Sequence, residues 1–252
     1  MKHFFSLFGV ECKRMLTSCT FYVSIAIFAV LYLLSCLNFR DSSVIYELQH
    51  VLSDGTFREL CTVCMVLPYG LSYYQEKKNQ NMQLIVSRSG RRSYGTSKVL
   101  SCFLSGGMVA LLGLILFIFI LHNLVGLPWT DSTMGDDVYY MDILLAKKQY
   151  MEFWIAQGMT HFLYGGTTAV LGLLISVVIA NPFVAAMGPY MVLYMVRIIA
   201  CTRLPVELDV TCVATGDIRF SSFVSGMSYI IVFFLVYLLL EYVAVYRMFW
   251  KE

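Results

Sequence analysis

Six apolar stretches of roughly 17 to 25 residues occupy most of this 252-residue chain, and each is about long enough to cross the hydrocarbon core of a bilayer as a helix. They lie at residues 20–38, 57–74, 99–122, 153–180, 183–201 and 223–245. Because lipid offers no hydrogen-bond partners, each stretch must satisfy its own backbone groups as a helix. The sequence therefore predicts an all-α polytopic membrane protein with six transmembrane helices.

The composition predicts a single transmembrane domain over residues 1–252. Hydrophobic residues make up 59% of the chain and charged residues only 13%, whereas a soluble domain carries about 25% charged residues. The segments between the spans are short, and a compact soluble domain usually needs at least about 50 residues. Any catalytic or energy-converting unit is therefore expected on another polypeptide.

The distribution of basic residues predicts that both termini lie in the cytoplasm. With the N-terminus inside, eleven of the eighteen Lys and Arg residues are cytoplasmic, and the net charge is +7 inside and −5 outside. Six of these cations lie in the loop at 75–98. Since Lys and Arg in short loops set the orientation of membrane proteins, residues 123–152 and 202–222 become extracytoplasmic loops. The first of them is expected to hold a short helix near 139–150.

Residues 1–19 precede the first span but have helical periodicity. Apolar residues recur at three- and four-residue steps from Phe5 and Phe8 onward, and Lys13 lies off that stripe. This pattern is typical of a helix that lies in the membrane interface with its cations near anionic headgroups. We expect an interfacial elbow helix that places Phe5, Phe8, Lys13 and Arg14 at the membrane surface. The alternative is a cytoplasmic lead-in to the first span.

The loop at 75–98 is the most polar cytoplasmic segment. Its first half favours helix, with Met82, Ile85 and Val86 as a small apolar patch, and residues 87–95 supply a break before the third span. A short helix of this kind is suited to docking a cytoplasmic partner. The alternative is a solvated basic loop that serves only the topology.

The fourth span carries an unusual polar stripe. Gln157, Thr160, His161 and Tyr164 share one helix face. Polar groups inside a membrane are costly, so they usually face a cavity or another helix. The stripe therefore predicts either a cavity lining or hydrogen bonds between helices.

The sequence offers little for catalysis or nucleotide binding. Residues 90–97 superficially resemble a phosphate-binding loop, but the lysine that such a loop requires is displaced to Lys98. The four histidines are scattered without metal-ligand spacing. Glu59 and Glu241, the acids closest to the spans, are expected to reach the interface. We expect no enzymatic activity, catalytic site, metal site or cofactor on this chain.

Four features follow one another along nearly the whole chain. They are the amphipathic segment through Lys13-Arg14, the sequence Tyr73-Tyr74-Gln75-Glu76 closing the second span, the polar helix through Asn79, Asn81 and Gln83, and Arg88-Ser-Gly-Arg-Arg-Ser-Tyr94 leading into Ser97-Lys98. This layout resembles the permease (membrane) subunit of the six-helix type-2 ABC exporters.

The resemblance implies that the helix after the second span is a coupling helix, which fits a groove on a separate ATPase subunit. The residues that would make this contact are Glu76, Lys77, Asn79, Gln80, Met82, Gln83, Ile85, Val86 and Arg88. It also implies a second permease subunit, identical or related, and surrounding membrane lipid in the cell membrane. ATP and Mg²⁺ would be bound by the ATPase, and no nucleic acid is involved.

The expected function is therefore that of a permease subunit forming the translocation path of an ATP-driven exporter. The family's substrate residues follow no transferable motif, so the substrate stays open. Two alternatives remain: a standalone secondary carrier or channel, and a membrane scaffold or sensor that recruits a cytoplasmic partner without transport.

Overall fold

A computed structural model describes residues 2–36, 43–53, 55–129, 140–179, 181–203, 205, 208–216, 218–220 and 222–251. Helices make up nearly all of these residues, and no β-strand occurs among them. The predicted all-α class is confirmed.

The described part of the chain forms twelve α-helices and one π-helical turn. In order they are α1 (Lys2–Leu16), α2 (Cys19–Ser35), α3 (Val44–Ser53), α4 (Gly55–Val66), α5 (Ser72–Lys78), α6 (Asn81–Ser89), α7 (Arg91–Ile120), the π-helical turn Leu121–Val125, α8 (Tyr140–Ala146), α9 (Tyr150–Val178), α10 (Pro182–Arg203), α11 (Val210–Thr215) and α12 (Phe223–Lys251).

Within these described ranges, four helices are long and apolar enough to cross a membrane. They are Arg91–Val125, Tyr150–Val178, Pro182–Ile199 and Phe223–Arg247. A fifth results if α1 and α2, which meet at a bend of 56°, are counted as one broken span. The chain thus has the helices of a multi-pass membrane protein.

The second predicted span, residues 57–74, is not one continuous helix. Helix α4 ends at Val66, and a turn leads into α5 at Ser72. The break lies at Pro68, because proline has no amide hydrogen for the helical ladder and its ring clashes with the preceding turn. Beyond the proline, the amide of Gly70 bonds back to the Val66 carbonyl at 2.8 Å.

The predicted break at 87–95 is narrower than expected. Only Gly90 interrupts the helices, with φ of +80°, and α7 already begins at Arg91. Glycine adopts this left-handed backbone without steric cost, so one residue is enough to separate α6 from α7. Lys98 therefore lies inside a long helix rather than at its start.

Helices α7 and α9 form the centre of the fold through a seam of small residues. A Cβ atom added at Gly165 would lie 2.6 Å from the Gly106 carbonyl oxygen, and one at Gly106 would clash with the Gly165 carbonyl oxygen. A Cβ at Gly166 would lie 2.5 Å from the Phe103 ring. Close backbone contact of this kind is a common basis of helix association in membranes.

The remaining long helices surround this pair. Helix α10 turns back on α9 through Asn181, whose side chain accepts a hydrogen bond from the amide of Phe183 at 2.9 Å. Gly188 of α10 then packs against Ile175 of α9, as expected for an antiparallel hairpin. The spans of α10 and α12 are each only 22% buried within the chain. Their outer faces are thus open to lipid or to another subunit.

Three short helices close one end of the bundle. The amide of Val44 at the start of α3 donates to Pro128 O at 2.9 Å, and the amide of Tyr140 at the start of α8 donates to Ile218 O at 2.8 Å. Gln49 Nε2 of α3 donates to Asp142 Oδ1 of α8 at 2.8 Å. The helix predicted near 139–150 is present as α8, and α11 is an additional helix of the same end.

Candidate functional site

The opposite end of the bundle holds the connecting helix pair α5–α6, which includes the segment predicted to form a short helix after the second span. Helix α5 stops at Lys78, and Gln80 adopts a left-handed backbone with φ of 57°. Such a conformation is uncommon for a residue with a side chain and reverses the chain locally. The short helix predicted after the second span is thus present as α6, which begins only after the break at Gln80 and packs beside α5 and the start of α7.

Beneath this helix pair lies a buried cluster of charged side chains. The Lys98 side chain is fully buried, with Nζ 2.6 Å from Glu76 Oε1 and 3.1 Å from Glu11 Oε1. Arg14 Nη1 lies 2.8 Å from the same Glu76 oxygen and keeps half of its side chain exposed. Two cations and two carboxylates thus meet where α1, α5 and α7 converge, and their formal charges sum to zero.

Two tyrosines complete this ion cluster. Tyr94 donates a hydrogen bond from its hydroxyl to Glu76 Oε2 at 2.7 Å. Lys98 Nζ donates to the Tyr69 hydroxyl at 3.4 Å, and its charge lies 4.9 Å from the centre of that ring. Glu76 thereby has partners for both oxygens. Breaking a buried ion pair is strongly destabilising, so the cluster holds α1, α5 and α7 in their relative positions.

The ion cluster changes what the segment 75–98 presents to solvent. Its one acid, Glu76, is buried and engaged, and Lys98 is buried with it. The remaining charges of the segment are all cations on exposed side chains: Lys77, Lys78, Arg88, Arg91 and Arg92. The surface of the connecting helix pair is therefore uniformly positive.

The residues predicted to contact an ATPase fall into three groups. Glu76 belongs to the buried ion cluster. Met82, Ile85 and Val86 are half-buried and pack against the core of the bundle, so the predicted apolar patch faces inward. The exposed members are Lys77, Asn79, Gln80, Gln83 and Arg88.

The outward face of α6 contains one residue that sequence reasoning missed. Leu84 is 60% exposed, beside the exposed Gln83, Ser87 and Arg88. Residues 84, 87 and 88 have the spacing of one helix face. This spacing in the sequence was the signal that distinguishes Leu84 from the inward-facing residues 82, 85 and 86. We refer to Gln83, Leu84, Ser87 and Arg88 as the outer face of α6.

The four predicted interface residues of the elbow do not share one environment. Phe5 is 66% exposed and Lys13 is also exposed, whereas Phe8 is half-buried. Arg14 reaches from α1 to Glu76. The inward face of α1 carries Glu11 and Met15, both buried. Glu11 is one of the acids in the inner charge count given above, and its position between Phe8 and Met15 in the sequence already puts it on the apolar side of α1.

The polar stripe of α9 lies in the interior of the chain. Gln157, Thr160, His161 and Tyr164 are all buried. His161 Nε2 is 3.1 Å from the Tyr32 hydroxyl of α2, and its Nδ1 is 2.9 Å from the Gln157 carbonyl oxygen. Of the two alternatives, this geometry favours the contact between helices.

Glu59 and Glu241 are both buried, which corrects the expectation that they reach the interface. Glu59 Oε1 lies 2.6 Å from Arg197 Nη1, an ion pair that joins α4 to α10. Glu241 lies near Tyr237 and Cys102, and neither of its carboxylate oxygens has a hydrogen-bond partner in the described structure. An intramembrane acid without a partner is a functional candidate in its own right.

The described residues contain no group of three His, Cys, Asp or Glu side chains placed to hold a metal ion. The chain matches no protein family, no curated protein sequence and no solved structure.

Proposed function

We propose that this chain is the membrane-spanning permease subunit of an ATP-driven exporter of the type-2 ABC group, located in the cell membrane. It has no enzymatic activity, and a separate ATPase subunit binds ATP and Mg²⁺. A second permease subunit, identical or related, completes the translocation path. The open faces of α10 and α12 leave room for that subunit.

In this proposal the six spans are assigned from the observed helices. The first is α2, with α1 as the interfacial elbow set at 56° to it. The second consists of α4, the turn at Pro68 and α5, and the others are α7, α9, α10 and α12. Both termini and the connecting helix pair are cytoplasmic, which agrees with the concentration of cations there.

The observation that carries the proposal is the ion cluster beneath the connecting helix pair. Glu76 of α5 is held by Arg14 of α1 and by Lys98 of α7. A displacement of α5–α6 by a bound subunit would therefore move both the elbow and a membrane-spanning helix. Two distant sites are coupled energetically when a continuous network of contacts joins structural elements that can each adopt two conformations.

The outer face of α6 is the proposed contact with the ATPase. Leu84 supplies an exposed apolar anchor, and Arg88 supplies a charge at its rim. Partly apolar anchors surrounded by polar residues are typical of protein interfaces. The inward residues Met82, Ile85 and Val86 then serve to hold α6 against the bundle.

The test is purification of the full chain from its native membranes in a mild detergent, with identification of bound ATPase by mass spectrometry. We expect Leu84→Asp to lower the ratio of ATPase to chain by more than tenfold. The matched control is Leu208→Asp, which places the same change on a leucine that is 51% exposed and lies beside α11 at the opposite end of the bundle. An ATPase ratio unchanged by Leu84→Asp would refute the assignment.

One observation favours a standalone carrier as the second candidate function. Glu241 is a buried acid in a membrane-spanning helix with no hydrogen-bond partner in the described structure, and such acids mark proton and ion pathways in carriers. Transport driven by an ion gradient in liposomes that contain only this chain, and its loss in Glu241→Gln, would favour this function over the ABC permease.

A further inference from the structure

Helix α12 carries one acid on the face that packs into the bundle. Ile230, Phe234, Glu241 and Val245 are all buried, and their spacing of four and seven residues keeps them on one side of the helix. Val245, one turn beyond the acid, is 0% exposed. The Glu241 carboxyl therefore lies within an apolar seam and not at the end of one.

The opposite side of the same turn is apolar and open. Leu239, Leu240 and Val243 are exposed aliphatic side chains on a helix that is long and apolar enough to cross a membrane. Glu241 is also the only Asp, Glu, Lys or Arg between Phe223 and Tyr246. This turn of α12 thus belongs to the apolar part of the span, where an ionised side chain is costly.

Neither oxygen of Glu241 is hydrogen-bonded to any of the residues that the structure describes. On its own helix, the nearest titratable group is Tyr237, one turn earlier, which in turn lies near Tyr164 of α9. The other titratable group of α9 between residues 153 and 178 is His161, which is 3.1 Å from the Tyr32 hydroxyl. Helix α9 therefore offers this carboxylate no cation of Lys or Arg type.

Helix α7 brings two cations to the same region, but neither is paired with Glu241. Cys102 lies near Glu241, and Lys98 lies one turn before Cys102. The Lys98 ammonium is bound by the two carboxylates of the ion cluster at 2.6 and 3.1 Å. Arg92 lies near Tyr242, the residue that follows Glu241, and its side chain is exposed. Within the described ranges, the charge of an ionised Glu241 would stay uncompensated.

Glu59 shows how this chain accommodates an ionised acid at the same burial. Its side chain is 6% exposed and that of Glu241 is 5% exposed, but Glu59 Oε1 lies 2.6 Å from Arg197 Nη1. A carboxylate that is buried without such a partner costs far more free energy than the neutral acid, and such a group takes up a proton instead. The surroundings of Glu241 therefore favour the protonated form.

We propose that Glu241 is a proton-binding site, occupied while α12 packs on α7 and α9 and emptied when α12 separates from them. Separation lets water reach the carboxyl, whose O–H bond then breaks: the proton goes to water and the electron pair stays on the carboxylate. The span of α12 is only 22% buried within the chain, and a helix with few buried contacts opens at lower cost than the rest of a bundle.

The proposal makes the packing of α12 sensitive to pH. One proton is released for each opening, so the equilibrium between packed and open α12 shifts towards open by up to about tenfold for each unit of rising pH. This property goes beyond both candidate functions and does not involve an ATPase. The proposed ATPase contact and the proton site therefore stand or fall separately.

The first test is infrared difference spectroscopy of the purified full chain at neutral pH, wild type against Glu241→Gln. The amide has the shape of the neutral acid, and we expect the variant to lose the carbonyl band of a carboxylic acid. The matched control Glu59→Gln removes an equally buried acid that is paired with Arg197, and it should lose carboxylate bands instead. A difference for Glu241→Gln without a carboxylic-acid band would overturn the proposal.

The second test measures the opening of α12 through the thiol of Cys102. This cysteine is 0% exposed and donates from Sγ to the Ala169 carbonyl oxygen at 3.1 Å, so it reacts only after the helices separate. Cys61 of α4 is also 0% exposed and corrects for the dependence of thiol chemistry on pH. Both are labelled with a membrane-permeant maleimide in the full chain, and the labelling of each is quantified by peptide mass spectrometry.

We expect the ratio of Cys102 to Cys61 labelling in the wild type to rise between about pH 6 and about pH 8, by up to about tenfold per unit. In Glu241→Gln the ratio should change by less than about twofold over the same range, because the amide releases no proton. A wild-type ratio that is independent of pH, or the same rise in both proteins, would overturn the proposal. Unchanged melting curves at neutral pH establish that the variant is folded.

Discussion

Replacing Lys98 by methionine should be one of the most destabilising single changes in this chain. The side chain is fully buried, and its Nζ is shared between Glu76 and Glu11 at 2.6 and 3.1 Å. Removing one partner of a buried ion pair costs about 3–5 kcal/mol, because the remaining charge is left uncompensated. In Lys98→Met the cluster changes from neutral to a net charge of −1, with Arg14 as its only cation.

A second substitution distinguishes charge balance from packing. Glu11→Gln restores neutrality in the Lys98→Met background and leaves Glu76 bonded to Arg14 and Tyr94. We expect the double variant to recover at least half of the lost free energy of unfolding. Glu76→Gln in the same background should recover less, because it also weakens the bonds to Arg14 and Tyr94.

The assay is unfolding of the purified chain in mixed micelles with increasing sodium dodecyl sulfate, followed by tryptophan fluorescence. For a chain of this size, a loss of 3–5 kcal/mol corresponds to a melting temperature lower by about 6–20 °C. The control Lys78→Met changes an exposed lysine of the same segment and should alter the free energy by less than about 0.5 kcal/mol. Equal stability of Lys98→Met and Lys78→Met would refute the assigned role of the ion cluster.

Three further changes test the packing of the bundle by the same unfolding assay. Gly165→Ala inserts a Cβ against the α7 backbone and should cost about 1–3 kcal/mol, whereas Gly158→Ala, whose nearest neighbour is at 3.4 Å, should be neutral or stabilising by up to about 1 kcal/mol. Equal effects would contradict the small-residue seam. Arg197→Met removes the cation that pairs with the buried Glu59 carboxylate and should lower the free energy of unfolding by about 3 kcal/mol. Adding Glu59→Gln should recover most of that free energy. A double variant less stable than Arg197→Met would argue against this pair. Tyr32→Phe removes the hydroxyl 3.1 Å from the buried imidazole of α9 and should cost about 1–3 kcal/mol, and wild-type stability would show that this bond contributes nothing.

The long helices of the second half of the chain were predictable because composition alone defines them. Residues 153–180, 183–201 and 223–245 correspond to α9, α10 and α12 within a few residues at most ends. The segment 57–74 was not predictable as observed. Its apolar length suggested one helix, whereas the chain is divided at Pro68, because a single proline can interrupt an apolar stretch that is otherwise long enough to span.

The ion cluster could not be predicted from the sequence. Glu11, Glu76 and Lys98 are far apart along the chain, and each alone resembles an ordinary cytoplasmic charge. Their burial depends on how α1 folds back on α5 and α7, which is a tertiary property. The only local signals were the position of Glu11 on the apolar face of α1 and that of Lys98 one turn after Tyr94.

The proposed function requires α6 to lie on the cytoplasmic side, where a soluble ATPase can reach its outer face. The direct test is a Ser87→Cys variant treated with a membrane-impermeant maleimide in intact cells and in inverted membrane vesicles, with the unsubstituted chain as background. Ser87 is exposed on α6. We predict that labelling at position 87 occurs in inverted vesicles only. Labelling in intact cells would place α6 outside and contradict the assignment of this chain as a permease driven by a cytoplasmic ATPase.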